Sequence, residues 1–292
     1  MQPPVKLGNS RVTGKEQYYT PASVATTILS RVVDIIDSPK NFTFLEPAGG
    51  TGAFINAATE YGFRSIVSFD IEPLHQLVRR GSFLDQDLDD LPYVTVSNPP
   101  FGRNNALSIP FFNKAAEHSA LIAFIVPRSW RKWSVQNKLD QHFELMGDDD
   151  LDIDYVDADG SLITANNNLR TCVQYWKRSE SLRPRTYIKD MGVIERCKFP
   201  EADASLTLFG YGCGTVRTDF PRKANTTQMF LKLKHPQALE ALRAVNFSRF
   251  SMNTAYTEAL SIQEINFLLN EYIFGDPMIV HEKHLSRPPK GR

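Results

Sequence analysis

Four consecutive residues, Asn98, Pro99, Pro100 and Phe101, carry groups that could hold and polarise an amine. The Asn98 amide offers an oxygen that accepts and a nitrogen that donates. The two prolines fix their own φ and hold the neighbouring carbonyls at set angles. Phe101 adds a flat apolar face for an aromatic ring, so the group suits the exocyclic amine of a base. The alternative is an Asn-capped, proline-stiffened turn with Phe101 in the core. A second set lies upstream, where Glu46 precedes Gly49, Gly50 and Gly52. Glycines there let backbone approach a ligand closely. The spacing lacks the lysine and hydroxyl of a P-loop, and its glycines do not fall as in the dinucleotide fingerprint. Glu46 would repel a pyrophosphate and welcome a cation. Asp70, about 20 residues after the glycines, stands where an acid usually holds a ribose diol. The combination points to an adenosyl sulfonium with an amino-acid tail; the alternative is a tight βα turn followed by a surface carboxylate.

These residues need elements to position them. Tyr93-Val94-Thr95-Val96 reads as a buried strand that the prolines stop, leaving Asn98 at the strand end, where open α/β sheets hold their ligands. Residues 42–45 read as the first buried strand and 65–69 as the next, with a helix over 52–61 between them. Upstream, Thr20 can cap a helix whose first residue is Pro21, continued by Val24, Ile28, Val32, Val33 and Ile36 and ended by Pro39 and Asn41. A helix over 110–118 and a strand over 121–126 follow. That strand opens into Pro127-Arg128-Ser129-Trp130-Arg131-Lys132-Trp133, where cations and indoles could hold phosphates and stack bases. A helix start with solvated charges and partly buried tryptophans is the alternative. The acidic run from Asp148 to Asp154 lacks the alternation of a calcium loop and reads as a surface strand.

In order, Gln17-Tyr18-Tyr19-Thr20-Pro21, EPAGGTGAF at 46–54, FDIEP at 69–73, GSFLD at 81–85 and NPPFG at 98–102 resemble the adenine amino-methyltransferases of bacterial modification systems. The resemblance continues through residues 112–127 and 171–176 and covers roughly residues 15 to 180. It implies an α/β fold, the class I, Rossmann-like, S-adenosylmethionine-dependent sheet of seven strands, with a smaller C-terminal α+β recognition region. It implies that Tyr19, Thr20 and Pro21 border the methionine end of the cofactor and that Glu46, Ala48, Gly50 and Gly52 shape its pocket. Asp70 would take the ribose hydroxyls, with Ile71 and Phe83 on the two faces of the adenine and Asn98 closing the pocket. Asn98 and the Pro99 carbonyl would bind the target amine, and Phe101 would stack on the target base. Tyr175 is a second stacking candidate, although strand alternation could equally place it in the core. The family usually has an acid where this chain has Ser82, so a hydroxyl would meet the adenine amine there. No metal is implied.

The resemblance divides the chain into an arm over 1–14, a methyltransferase domain over 15–180 and a target-recognition region with tail over 181–292. In the last, Arg217, Arg222 and Lys223 make a basic hairpin that could contact phosphates, and Ser261 with Glu264 makes a capping box. The expected partner is nucleic acid, DNA before RNA, and the small recognition region leaves room for a specificity subunit or a homodimer. The 292 residues carry 33 basic and 33 acidic side chains, so any polyanion must be met by a local patch. Three widely spaced cysteines make neither a metal site nor a disulfide framework, which fits a reducing cytoplasm. No stretch is long and apolar enough to span a bilayer.

Overall fold

The computed structural model describes residues 18–153, 155–156, 169–219 and 227–282. The expectations for the arm over 1–14, Gln17, Arg222 and Lys223 lie outside these residues. The chain divides into two compact units, one of residues 1–127 and 138–183, the other of residues 128–137 and 184–292.

The first unit is built on a seven-stranded sheet. Its strands are β1 (Thr43–Glu46), β2 (Ser65–Asp70), β3 (Arg79–Arg80), β4 (Tyr93–Ser97), β5 (Ser119–Pro127), β6 (Phe143–Leu151) and β7 (Thr171–Arg178). They lie in the order β3-β2-β1-β4-β5-β7-β6, and β7 runs antiparallel to both of its neighbours. Helices α1 (Ala22–Ile35) and α2 (Ala53–Glu60) cover one face, and α3 (Ser108–Ala115) packs against β5. On α1 the buried residues Ala25, Ile28, Leu29 and Val32 recur at helical spacing and meet Phe44, Val94, Val96, Ala123 and Tyr175 in one core. The other face is aromatic, with Phe112 edge-on to Phe124, Phe143 and Trp176. This is the class I methyltransferase fold.

Strand order reverses at β1 and β4, so the crevice beyond their carboxyl ends is the ligand position of a doubly wound sheet. Glu46 ends β1, Asp70 ends β2, and Asn98 directly follows β4.

The second unit is α+β. Helix α4 (Trp133–Gln136) and strand β8 (Arg185–Ile188) open it, followed by β9 (Ile194–Arg196), β10 (Ala204–Thr207), β11 (Val216–Arg217) and β12 (Gln228–Leu233). Helices α5 (Ala238–Ala244), α6 (Ser248–Ser251) and α7 (Ile262–Phe274) and strand β13 (Ile279–Glu282) complete it. The antiparallel sheet β11-β10-β12-β9 shares a core with α5 and α7, and β13 pairs with β8. Ser261 and Glu264 form the expected capping box at the start of α7.

Two expectations change. Helix α1 starts at Ala22 with Pro21 at its cap position and no side-chain cap bond, so Thr20 does not cap it. The Thr20 hydroxyl instead accepts from Asn98. Residues 128–137 belong to the second unit although they lie inside the expected domain, because Trp133 stacks on Phe267 and Lys132 pairs with Glu264.

Candidate active site

The glycine turn after β1 is held against the tip of β2. Gly50 N donates to Asp70 Oδ2 at 2.8 Å, and Gly49 N donates to the Phe69 carbonyl at 2.9 Å. The other Asp70 oxygen accepts from Glu72 N at 2.8 Å. An ionised carboxylate has about four lone-pair sites, so Asp70 keeps acceptor capacity for a diol. Ile71, next in the chain, is 62% exposed and offers an apolar face there. The turn needs its glycines. Gly52 has φ +82°, and a Cβ on it would come within 2.5 Å of the His75 ring. A Cβ on Gly50 would come within 2.9 Å of the Tyr19 ring.

Glu46 is buried beside this turn, its Oε1 accepting from Ala48 N at 3.1 Å and from the Ser97 hydroxyl. Burial pushes its carboxyl well above the usual carboxylate range, opposed by those two hydrogen bonds and reinforced by the nearby Asp70 charge. Its second oxygen takes no donor among the described residues, so a ligand ammonium would meet an unfilled acceptor.

Asn98 is oriented by the segment before α1. Its Nδ2 donates to the Tyr18 carbonyl at 3.0 Å and to the Thr20 hydroxyl at 3.3 Å. A backbone carbonyl can only accept, so the amide must turn its nitrogen toward Tyr18 and its oxygen the other way. Nothing among the described residues donates to that oxygen. Tyr19 exchanges two backbone hydrogen bonds with Val156, at 3.2 and 3.3 Å, and Tyr18 packs on Tyr155 with ring centroids 5.1 Å apart. The strap of residues 18–20 therefore touches both halves of the site: the Tyr19 ring lies on Gly50, while Tyr18 and Thr20 hold Asn98.

Other anticipated residues are placed differently. Phe101 is only 8% exposed and Phe83 only 1%, the latter packed on Phe69 and Phe111. Both rings are core as the site stands. The Ser82 carbonyl accepts from Asp85 N and the Gln86 amide, and its hydroxyl takes no bond among the described residues. Tyr175 points into the core shared with α1, under the Arg31 guanidinium at 4.7 Å, and burial pushes its phenol up to about 12. Alternation along β7 gives it to the helix-covered face, so it does not stack on a base. Trp130 is fully buried, and Lys132 Nζ lies 2.8 Å from the buried Glu264 carboxylate, so neither is displayed to a substrate. Arg128 and Arg131 are half-buried in that stretch, and Arg217 is exposed on β11. Arg103, directly after the Asn-Pro-Pro-Phe-Gly run, is exposed.

No family model matches the chain. Two curated relatives do match, the Type II methyltransferases M.HincII and M.HindII of Haemophilus influenzae, each 29% identical over 106 residues. The match takes in 35% of this chain and 20% of either relative, so it spans about a fifth of their length. The chain is similar to bacterial modification methyltransferases. Among solved structures, a protein named as an RNA methyltransferase from Pyrococcus horikoshii shares 16% identity, with 60% of this chain and 93% of that one covered and a TM-score of 0.45. The methyltransferase subunit of a type I restriction-modification system from Streptococcus thermophilus shares 15% identity over 62% of this chain and 49% of its own, with a TM-score of 0.38. Such distant likenesses bear on neither substrate nor chemistry.

The donor set fits S-adenosylmethionine, the cofactor of class I methyltransferases. Asp70 has acceptors left for a ribose, Ile71 an open apolar face, and Glu46 a second oxygen that takes no donor among the described residues, open to an ammonium. Among the described residues no group of His, Cys, Asp or Glu is placed to hold a metal, and no helix is long and apolar enough to cross a membrane.

Proposed function

We propose that the protein methylates the exocyclic amino group of adenine in DNA. The observation that carries this reading is the fixed Asn98 amide, whose nitrogen is bound to Tyr18 and whose oxygen faces away with no donor among the described residues. The base amine is a weak nucleophile because its lone pair is delocalised into the ring. The Asn98 oxygen and the Pro99 carbonyl accept its two hydrogens and draw the nitrogen toward a tetrahedral geometry, localising the lone pair. Bound S-adenosylmethionine supplies an activated methyl group. The chain therefore has to position and polarise, and no covalent nucleophile is required. Neither carbonyl is basic enough to keep the departing proton, which passes to water.

In a duplex the base must leave the stack, at a cost of a few kcal/mol that contacts in the pocket offset. Phe101, next to the prolines, is the aromatic side chain of the motif; its ring would have to turn outward to stack on the base. The order of the motifs and the similarity to Type II methyltransferases support DNA as the substrate. Adenine in RNA is the second reading, because an Asn-Pro-Pro-aromatic run also serves RNA methylases. The deciding experiment is methyl transfer from labelled cofactor to duplex DNA, single-stranded DNA, total RNA and protein, followed by nucleoside analysis. Label in N6-methyldeoxyadenosine is expected. Label in RNA alone would move the proposal to RNA, and label in cytosine or protein would overturn it.

A further inference from the structure

We infer that Arg103 binds a phosphate of the target strand beside the nucleotide whose base Asn98 holds, an inference that rests on the proposed function. The turn after Phe101 is tightly made. The Phe101 carbonyl accepts from Leu107 N at 3.2 Å and Ser108 N at 3.3 Å, and Ala106 N closes on the Arg103 carbonyl at 3.2 Å. Within it, Asn104 has φ +56° and Asn105 φ +63°, two successive side-chain-bearing residues in the left-handed region. Such residues cost free energy and persist where surrounding structure over-determines them, commonly at ligand clamps. Asn105 is buried, whereas Arg103 is exposed. Among the described residues the Arg103 guanidinium has no hydrogen bond, ion pair or ring contact.

A cation left unpaired on a rigid turn, five residues beyond the amide that would grip the base, calls for an anion supplied by the substrate. A nucleotide brings one at that end, and a guanidinium matches a phosphate with paired N–H donors. Lys132, in the basic stretch after β5, does not take this role, because it is committed to Glu264. Arg103 thereby places the sugar-phosphate backbone, while Asn98 and Pro99 select the amine, the usual division between contacts that position and contacts that specify.

The test is steady-state methylation of genomic DNA by the full chain and by Arg103→Ala and Arg103→Lys, over a range of KCl, with cofactor affinity and melting temperature measured alongside. For Arg103→Ala the KM for DNA should rise roughly tenfold. Its log–log dependence on salt should flatten by about 0.9, the contribution of one phosphate. Melting temperature, cofactor affinity and kcat should hold, and Arg103→Lys should recover the salt slope. An unchanged KM and slope in Arg103→Ala, with wild type active on DNA, would overturn this inference and leave the proposed function standing. A kcat loss with unchanged slope would also overturn it, since that marks a structural role. Wild type with no activity on DNA would overturn both.

Discussion

At the scale of single residues, Glu46 gives the sharpest expectation. Its carboxyl is buried at the end of β1 and held well above its ordinary value of 4.5, chiefly by desolvation. An acid whose pKa is raised on folding binds its proton more tightly when folded, so stability falls as pH climbs from the unfolded value through the folded one. Glu46→Gln keeps an oxygen for Ala48 N and the Ser97 hydroxyl and removes the charge. Denaturant melts should show the variant more stable than wild type at pH 8, with the gap closing toward pH 4, and calorimetry should show weaker S-adenosylmethionine binding. A variant less stable at both pH values would contradict this account of Glu46. Asn98 shows what a sequence cannot tell. Its place at a strand end can be read from Val96 and the prolines, but the orientation of its amide depends on Tyr18 and Thr20, 80 and 78 residues away. The same holds for Thr20, whose position before Pro21 marks it as a helix cap, while only the fold shows where its hydroxyl goes.

At the scale of elements, the β1–α2 turn carries the proposed cofactor half of the site. Gly52→Ala would force a side chain into a left-handed backbone at about 1–2 kcal/mol and press its methyl on the His75 ring, 2.5 Å away. The variant should melt lower and lose measurable cofactor affinity, checked by thermal melting and calorimetry; wild-type affinity would exclude the turn from the pocket. This turn, its strand and its helix were legible because glycine spacing and apolar runs are local signals. The faces of β7 were not. Tyr175 and Trp176 differ by one position in a strand buried on both sides, so only packing against α1 shows that Tyr175 belongs to the core. Phe83 and Phe101 illustrate the same limit: a motif gives the residue type, while the depth of the ring depends on neighbours such as Phe69 and Phe111.

At the scale of the whole molecule, the chain has no net charge, so contact with a polyanion depends on local groups. The Arg128 to Trp133 stretch and the 217–223 hairpin are the expected suppliers, but Lys132 and Trp133 are built into the second unit by Glu264 and Phe267, far along the chain. Lys132→Ala should leave the buried Glu264 carboxylate without its cation and destabilise the protein by about 3 kcal/mol. The salt dependence of DNA binding should not move, and a flattened slope would return Lys132 to the substrate. For the proposed reaction, base, cofactor and Asn98 must meet in the working protein. The most direct measurement is single-turnover formation of N6-methyldeoxyadenosine in DNA by wild type and Asn98→Ala, each saturated with S-adenosylmethionine. Wild type should form the modified nucleoside. The variant, folded and still binding cofactor, should be slower by about 100- to 1,000-fold, the usual loss for one positioned transition-state contact; equal rates would contradict the account.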